Sequence, residues 1–200
     1  MSEQLWWYTA RSGGILAWVL LSAATLWGLA LSTRILGPRP RPNWMLDLHR
    51  FLAALAVVFT AVHVVALVAD SYVHIGFTEI LVPLTGDYRP GAVAWGVVGL
   101  YLLAAVEITS LLRRRISRRA WRWTHSLSFL LFGFATVHGL AAGTDAGNSA
   151  LRIAMLVVTL GVIGLTVASV EHHLHKRGRH RTPIREGSRE RADALMNSGV

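Results

Sequence analysis

The chain has 200 residues, 53% of them hydrophobic and only 16% charged, with a mean hydropathy of +0.44; this balance excludes an ordinary soluble domain. Its formal charge of +9 comes from arginines and a single lysine, Lys176, gathered in turns and tail, so it bears on membrane orientation and not on nucleic acid. The absence of cysteine excludes disulfides, thiolate-held iron–sulfur clusters and the C-x-x-C-H attachment of c-type haem, leaving histidine, methionine or oxygen to hold any metal or haem.

In chain order, residues 1–13 form an outer interfacial segment whose Trp6, Trp7 and Tyr8 suit a membrane surface. Gly14 to Leu31 is the first span; it lacks a preceding basic bias and is long for a signal peptide, so it is read as a retained helix. Ser32 to Asn43, with Arg34, Arg39, Arg41, Pro38, Pro40 and Pro42, is a stiff basic turn. Met45 to Val68 is the second span and carries His49 and His63. A longer connection, Ser71 to Pro90, includes a short amphipathic surface piece at Ile75 to Leu84. Gly91 to Leu112 is the third span. Arg113 to Arg122, with six arginines, then leads directly into the fourth, Trp123 to Ala142, which carries His125 and His138. Gly143 to Asn148 is a tight polar turn. Ala150 to Val170 is the fifth span, and Glu171 to Val200 is a basic tail without apolar periodicity.

The expected fold is therefore an all-α integral membrane protein: a five-helix transmembrane bundle over residues 14–170, followed by a tail at 171–200. The turns after spans one and three and the tail hold three, six and seven Lys or Arg, against one each (Arg11, Arg89, Arg152) for the amino terminus and the other two connections. The positive-inside rule then puts the amino terminus outside and the carboxyl terminus in the cytoplasm of a multi-pass cell-membrane protein, with spans two and four both running outward.

Histidine inside lipid is costly unless it faces protein, water or a cofactor. His49 and His63 are fourteen residues apart, roughly 21 Å along a helix and within about 40° of one face. His125 and His138 are thirteen apart, a rise of roughly 19.5 Å, so two facing pairs form at matching depths. His49 with His125, at the inner level, and His63 with His138, at the outer, are each able to supply both axial nitrogens of a haem. Thirteen residues also turn the second ring about 140° from the first, so span four is either rewound locally or presents its rings in different directions. The competing reading, from another class, is a haem-free transporter or assembly factor whose histidines are structural or relay protons.

The double spacing, His49-x13-His63 and His125-x12-His138, together with the stretch from Ile108 to Asp145, a basic turn running into the fourth span, resembles the ferric reductase-like transmembrane family over roughly Leu16 to Val170. That family includes ferric reductases, NADPH oxidases and the haem-binding subunit of a periplasmic methionine sulfoxide reductase system. The resemblance implies two b-type haems carrying electrons to an extracytoplasmic acceptor, ferric iron or a periplasmic oxidoreductase, in a setting such as the bacterial plasma membrane. About 30 residues follow the last span and hold no glycine-rich dinucleotide fingerprint, so a separate donor is expected, a flavoprotein reductase or a quinol.

Arg50 and Arg122 are candidates for the inner haem propionates, with plain membrane anchoring as the alternative for each. Glu107 is expected to pair with an arginine of the following turn, and Phe59 and Phe132 to pack between the haem levels. Gly91, Gly96, Gly99, Gly161 and Gly164 allow close approach of helices or a flat macrocycle. His74 is expected to be exposed in the outer connection, and His172, His173 and His175 to belong to a headgroup-facing basic stretch.

Overall fold

The computed structural model describes residues 2–33, 42–70, 75–143 and 147–179. They form α1 (Ser2–Thr33), α2 (Asn43–Ala69), α3 (Phe77–Leu81), α4 (Pro90–Leu111), α5 (Arg118–Ser126), α6 (Ser128–Ala142) and α7 (Ser149–Arg179), with no strand among the described residues. Among the described residues, five stretches are long and apolar enough to cross a membrane: Gln4–Thr33, Asn43–Ala69, Pro90–Leu111, Arg118–Ala142 and Ser149–Glu171. The all-helical membrane architecture expected from hydropathy is thus what the chain forms, since only a helix satisfies its own backbone in hydrocarbon.

The chain divides into two compact units, Met1–Leu160 and Gly161–Val200. In the first, large apolar side chains such as Val58, Val65 and Leu156 point outward, while small residues (Ala10, Ala24, Ala56, Ala66) are buried. Larger side chains such as Trp18, Leu131 and Phe132 are buried with them, and the small residues suit association in lipid, where close backbone contact replaces the hydrophobic effect. The described part of the second unit is the continuation of α7 to Arg179.

Helices α1 and α2 pack antiparallel. Trp27 donates its indole N–H to Met45 O at one end (2.8 Å), and Ala10 lies beside His63 near the other. Helices α4 and α6 are likewise antiparallel, with Gly99 against Leu131 and Phe134. Tyr88 Oη and Arg89 Nη1 donate to Ala142 O (3.3 Å) and Ala141 O (2.9 Å), carbonyls of the last turn of α6 that lack intrahelical donors. Arg89 is the N-cap of α4, in the left-handed region at φ 40°, ψ 58°, with Pro90 following at the first helical position. The guanidinium bond to α6 holds that strained residue in place. Tyr101 Oη bonds Leu81 O, tying α3 to α4.

Several boundaries differ from expectation. Helix α1 begins at Ser2, so the interfacial segment is its first turns; Thr9 and Ser12 satisfy their hydroxyls on the carbonyls of Leu5 and Tyr8 within the helix. The fourth span is interrupted at Leu127, whose N–H bonds Thr124 O at 3.0 Å, an i→i−3 bond tighter than the α pattern. Some local rewinding of the fourth span is thus present, about 20° of the roughly 140° offset for one such step. Helix α7 runs on to Arg179, past the expected end of the fifth span, because the first proline of the tail is Pro183. The basic turn Arg34–Arg41, His74 and residues 180–200 lie outside the described residues.

Helix α5 starts at Ser117, whose side chain accepts from Ala120 N at 3.2 Å. Ser117→Ala should cost about 1 kcal/mol by loss of this cap, read as a lower melting midpoint in detergent, whereas Ser117→Asp keeps the acceptor and the midpoint.

Candidate functional site

The four membrane histidines meet in two pairs. His49 of α2 faces His125 of α5 with ring centroids 6.1 Å apart and planes at 76°. His63 of α2 faces His138 of α6 at 6.4 Å and 74°. His49 meets His125 and, further along both spans, His63 meets His138, so α2 and the α5–α6 span are co-directional and a helical rise of roughly 21 Å separates the two levels.

Three of the rings are anchored to a neighbouring backbone. His63 Nδ1 donates to Ala10 O (2.7 Å), His49 Nδ1 to Ala24 O (3.1 Å), and His138 Nδ1 to Ala92 O (2.9 Å). A carbonyl only accepts, so the proton sits on Nδ1 and Nε2 keeps its lone pair, the tautomer in which a ring ligates metal through Nε2. His125 differs: its Nδ1 is buried without a hydrogen-bond partner, and the ring stacks on Trp121 at 5.1 Å and 20°. The indole N–H of Trp121 is equally buried without a partner, and the Arg113 guanidinium lies 5.5 Å from the centre of that indole.

This donor set fits two bis-imidazole haems. With metal–nitrogen bonds of about 2 Å and about 1.1 Å from ring nitrogen to ring centre, two imidazoles sharing one metal hold their centroids about 6 Å apart. The observed 6.1 and 6.4 Å agree with that spacing. His63 and His138 also line a cavity of about 260 Å³ whose wall is mostly apolar, with Trp18, Val97, Leu131 and Met155, and includes the polar groups of Arg11 and Tyr88. A concave apolar chamber with a few polar groups is the usual form of a cofactor site.

Between the levels, Trp18 of α1 packs on Phe132 of α6 at 6.5 Å and donates its indole N–H to Thr136 Oγ1 at 3.0 Å. Thr136 in turn donates to Phe132 O at 2.8 Å. Phe132 is buried there, whereas Phe59 is half-buried. Trp18 was not legible as a site residue, because only the α1–α6 contact gives its indole a partner.

The remaining expected residues divide. Arg50 is ion-paired to Asp47 at 3.0 Å on the surface, and Arg122 is exposed, one turn from His125. Glu107 is half-buried and makes no ion pair with an arginine of the following turn among the described residues; Arg113 lies over Trp121 instead. Of the expected glycines, only Gly96 lies directly against a histidine: a Cβ there would meet the His138 ring at 2.7 Å, while Gly99 makes ordinary contacts and Gly91, Gly161 and Gly164 meet nothing within 4 Å. Gly14 and Gly28 of α1, against His63 and His49, were missed; each follows an Ala by four residues, as Gly96 follows Ala92, but Gly139 follows Ala135 in the same way and faces Met155, so the spacing alone does not mark them.

A family model described as "Ferric reductase like transmembrane component" matches residues 13–136, which takes in His49, His63 and His125 and stops two residues short of His138. No curated protein and no solved structure matches the chain. Thr136→Val should leave the buried Trp18 indole N–H without an acceptor and cost about 1–3 kcal/mol, seen as a lower melting midpoint in detergent, whereas Thr136→Ser should be tolerated.

Proposed function

This chain belongs to the ferric reductase-like transmembrane family, and on that premise we propose that it is a di-haem b-type cytochrome carrying electrons across the membrane. The observation that carries the reading is the pair of imidazole couples at 6.1 and 6.4 Å, three of whose four rings are turned by a backbone carbonyl into the Nε2-ligand tautomer. His49 and His125 would hold the inner haem, and His63 and His138 the outer. Haem held by two histidines would supply one-electron exchange.

The chain's own residues do the rest. The carbonyls of Ala10, Ala24 and Ala92 orient the rings and raise their basicity as ligands. The apolar wall formed by Trp18, Val97 and Leu131 excludes water and lowers the local dielectric, which tunes potential. Arg122, and Arg50 where it exchanges its surface pairing with Asp47, would offer positive charge to inner propionates, and Arg11 lines the outer chamber. Electrons enter from a cytoplasmic flavoprotein reductase or a quinol and leave to an extracytoplasmic acceptor, ferric iron or a periplasmic oxidoreductase. The basic turns support an amino terminus outside and a cytoplasmic tail.

Purified protein reduced with dithionite should show b-type bands at about two haems per chain, and His63→Ala should halve that content by removing the outer haem. Ring planes near 75° should give the ferric protein a strongly anisotropic low-spin signal with one large g value. A spectrum without haem bands leaves the haem-free transporter or assembly factor. Because the chain has no cysteine, single cysteines report topology without background. On intact cells an impermeant maleimide should label Gly147→Cys, and should label Arg114→Cys only after permeabilisation.

A further inference from the structure

We infer that Gly14, Gly28 and Gly96 are positioning residues: each is the gap through which one imidazole reaches the carbonyl four residues earlier in its helix. The three units are Ala10 with Gly14 for His63, Ala24 with Gly28 for His49, and Ala92 with Gly96 for His138. The inference rests on the haem reading above and says how the chain builds that site.

In a helix the carbonyl of residue i already accepts from the N–H of residue i+4, so a second donor must approach from the side. The side chain of residue i+4 stands on that flank. This chain shows it directly, because Ser22 Oγ bonds Trp18 O at 2.7 Å and Thr25 Oγ1 bonds Leu21 O at 2.8 Å, each four residues back. An imidazole that approaches on this flank occupies the space a side chain of residue i+4 would fill, and at all three positions that residue is glycine. A Cβ on Gly96 would stand 2.7 Å from Nδ1 and Cε1 of His138, one on Gly14 3.0 Å from Nδ1 of His63, and one on Gly28 3.1 Å from Cε1 of His49.

The spacing supports a paired design. Gly14 and Gly28 are fourteen residues apart on α1, the same interval that separates His49 and His63 on the antiparallel α2, so one helix carries gaps at the period of the other's rings. Gly133 lies on α6 between the two levels, yet a Cβ there meets nothing within 4 Å. Closeness to a ring, not the presence of glycine in a haem-bearing helix, marks the three.

The outer site therefore has both rings seated in gaps and the inner site one, since His125 Nδ1 has no carbonyl partner. The test uses the purified full-length chain, read by haem content and by the ferric low-spin signal. Gly96→Ala should halve the haem content, as His138→Ala does, because a Cβ at 2.7 Å pushes the ring out of its ligating position. Gly14→Ala and Gly28→Ala should keep haem and shift the low-spin signal of the outer and the inner centre respectively. Gly133→Ala should match the parent in both readouts. Three ring-facing variants with parental content and signal would overturn this inference while leaving the cytochrome standing; a parent chain without haem would overturn both. If Gly96→Ala accumulates poorly, Gly96→Ala combined with His138→Ala should recover to the level of His138→Ala alone. A double variant no better than Gly96→Ala would assign the glycine to helix packing and overturn its positioning role.

Discussion

The architecture depends on a hydrogen bond between an imidazole N–H and a backbone carbonyl of a different helix. A ring set in hydrocarbon needs its polar edge met, and a helix has no free N–H or C=O to offer except the unused lone pair of each carbonyl. His49 and His63 use those lone pairs on α1, and His138 uses one on α4. One bond thus meets a polar edge, locks a tautomer and joins two helices, and the pairing of α1 with α2 and of α4 with α6 follows from where these bonds occur.

The two levels are built to different specifications. The His63–His138 level has both rings on carbonyls and an apolar chamber around them. The His49–His125 level has one ring on a carbonyl and the other stacked on Trp121 beneath Arg113. Hydrogen bonding to a ligand's far nitrogen raises its basicity, so the two levels present unequal ligand strength to whatever metal they hold. Trp18 and Phe132 fill the space between the levels and keep it dry.

What the sequence revealed was what helical rise alone determines. Five apolar stretches, two histidine intervals and co-directional spans follow from rise per residue and from turn count, and they suffice to put His49 level with His125 and His63 level with His138. The partners of the other ring nitrogen did not follow, because which carbonyl a ring meets depends on helix rotation, a tertiary property. Gly14 and Gly28 gain their place only from α2 beside them. The interruption at Leu127 lies in Ser126-Leu-Ser-Phe-Leu-Leu, which contains neither proline nor glycine, so no local signal marked it. Glu107 missed its expected arginine because an indole competes for Arg113, a contact that needs α5 to fold back toward the preceding turn.

The interruption at Leu127 has a mechanical meaning. It separates a short, arginine-rich segment that carries His125 from the longer apolar segment that carries His138. Arg118, Arg119 and Arg122 share a rigid segment with His125, whereas His138 is reached only across the break. The two histidine couples are thus unequally joined to the arginine-rich end of the span.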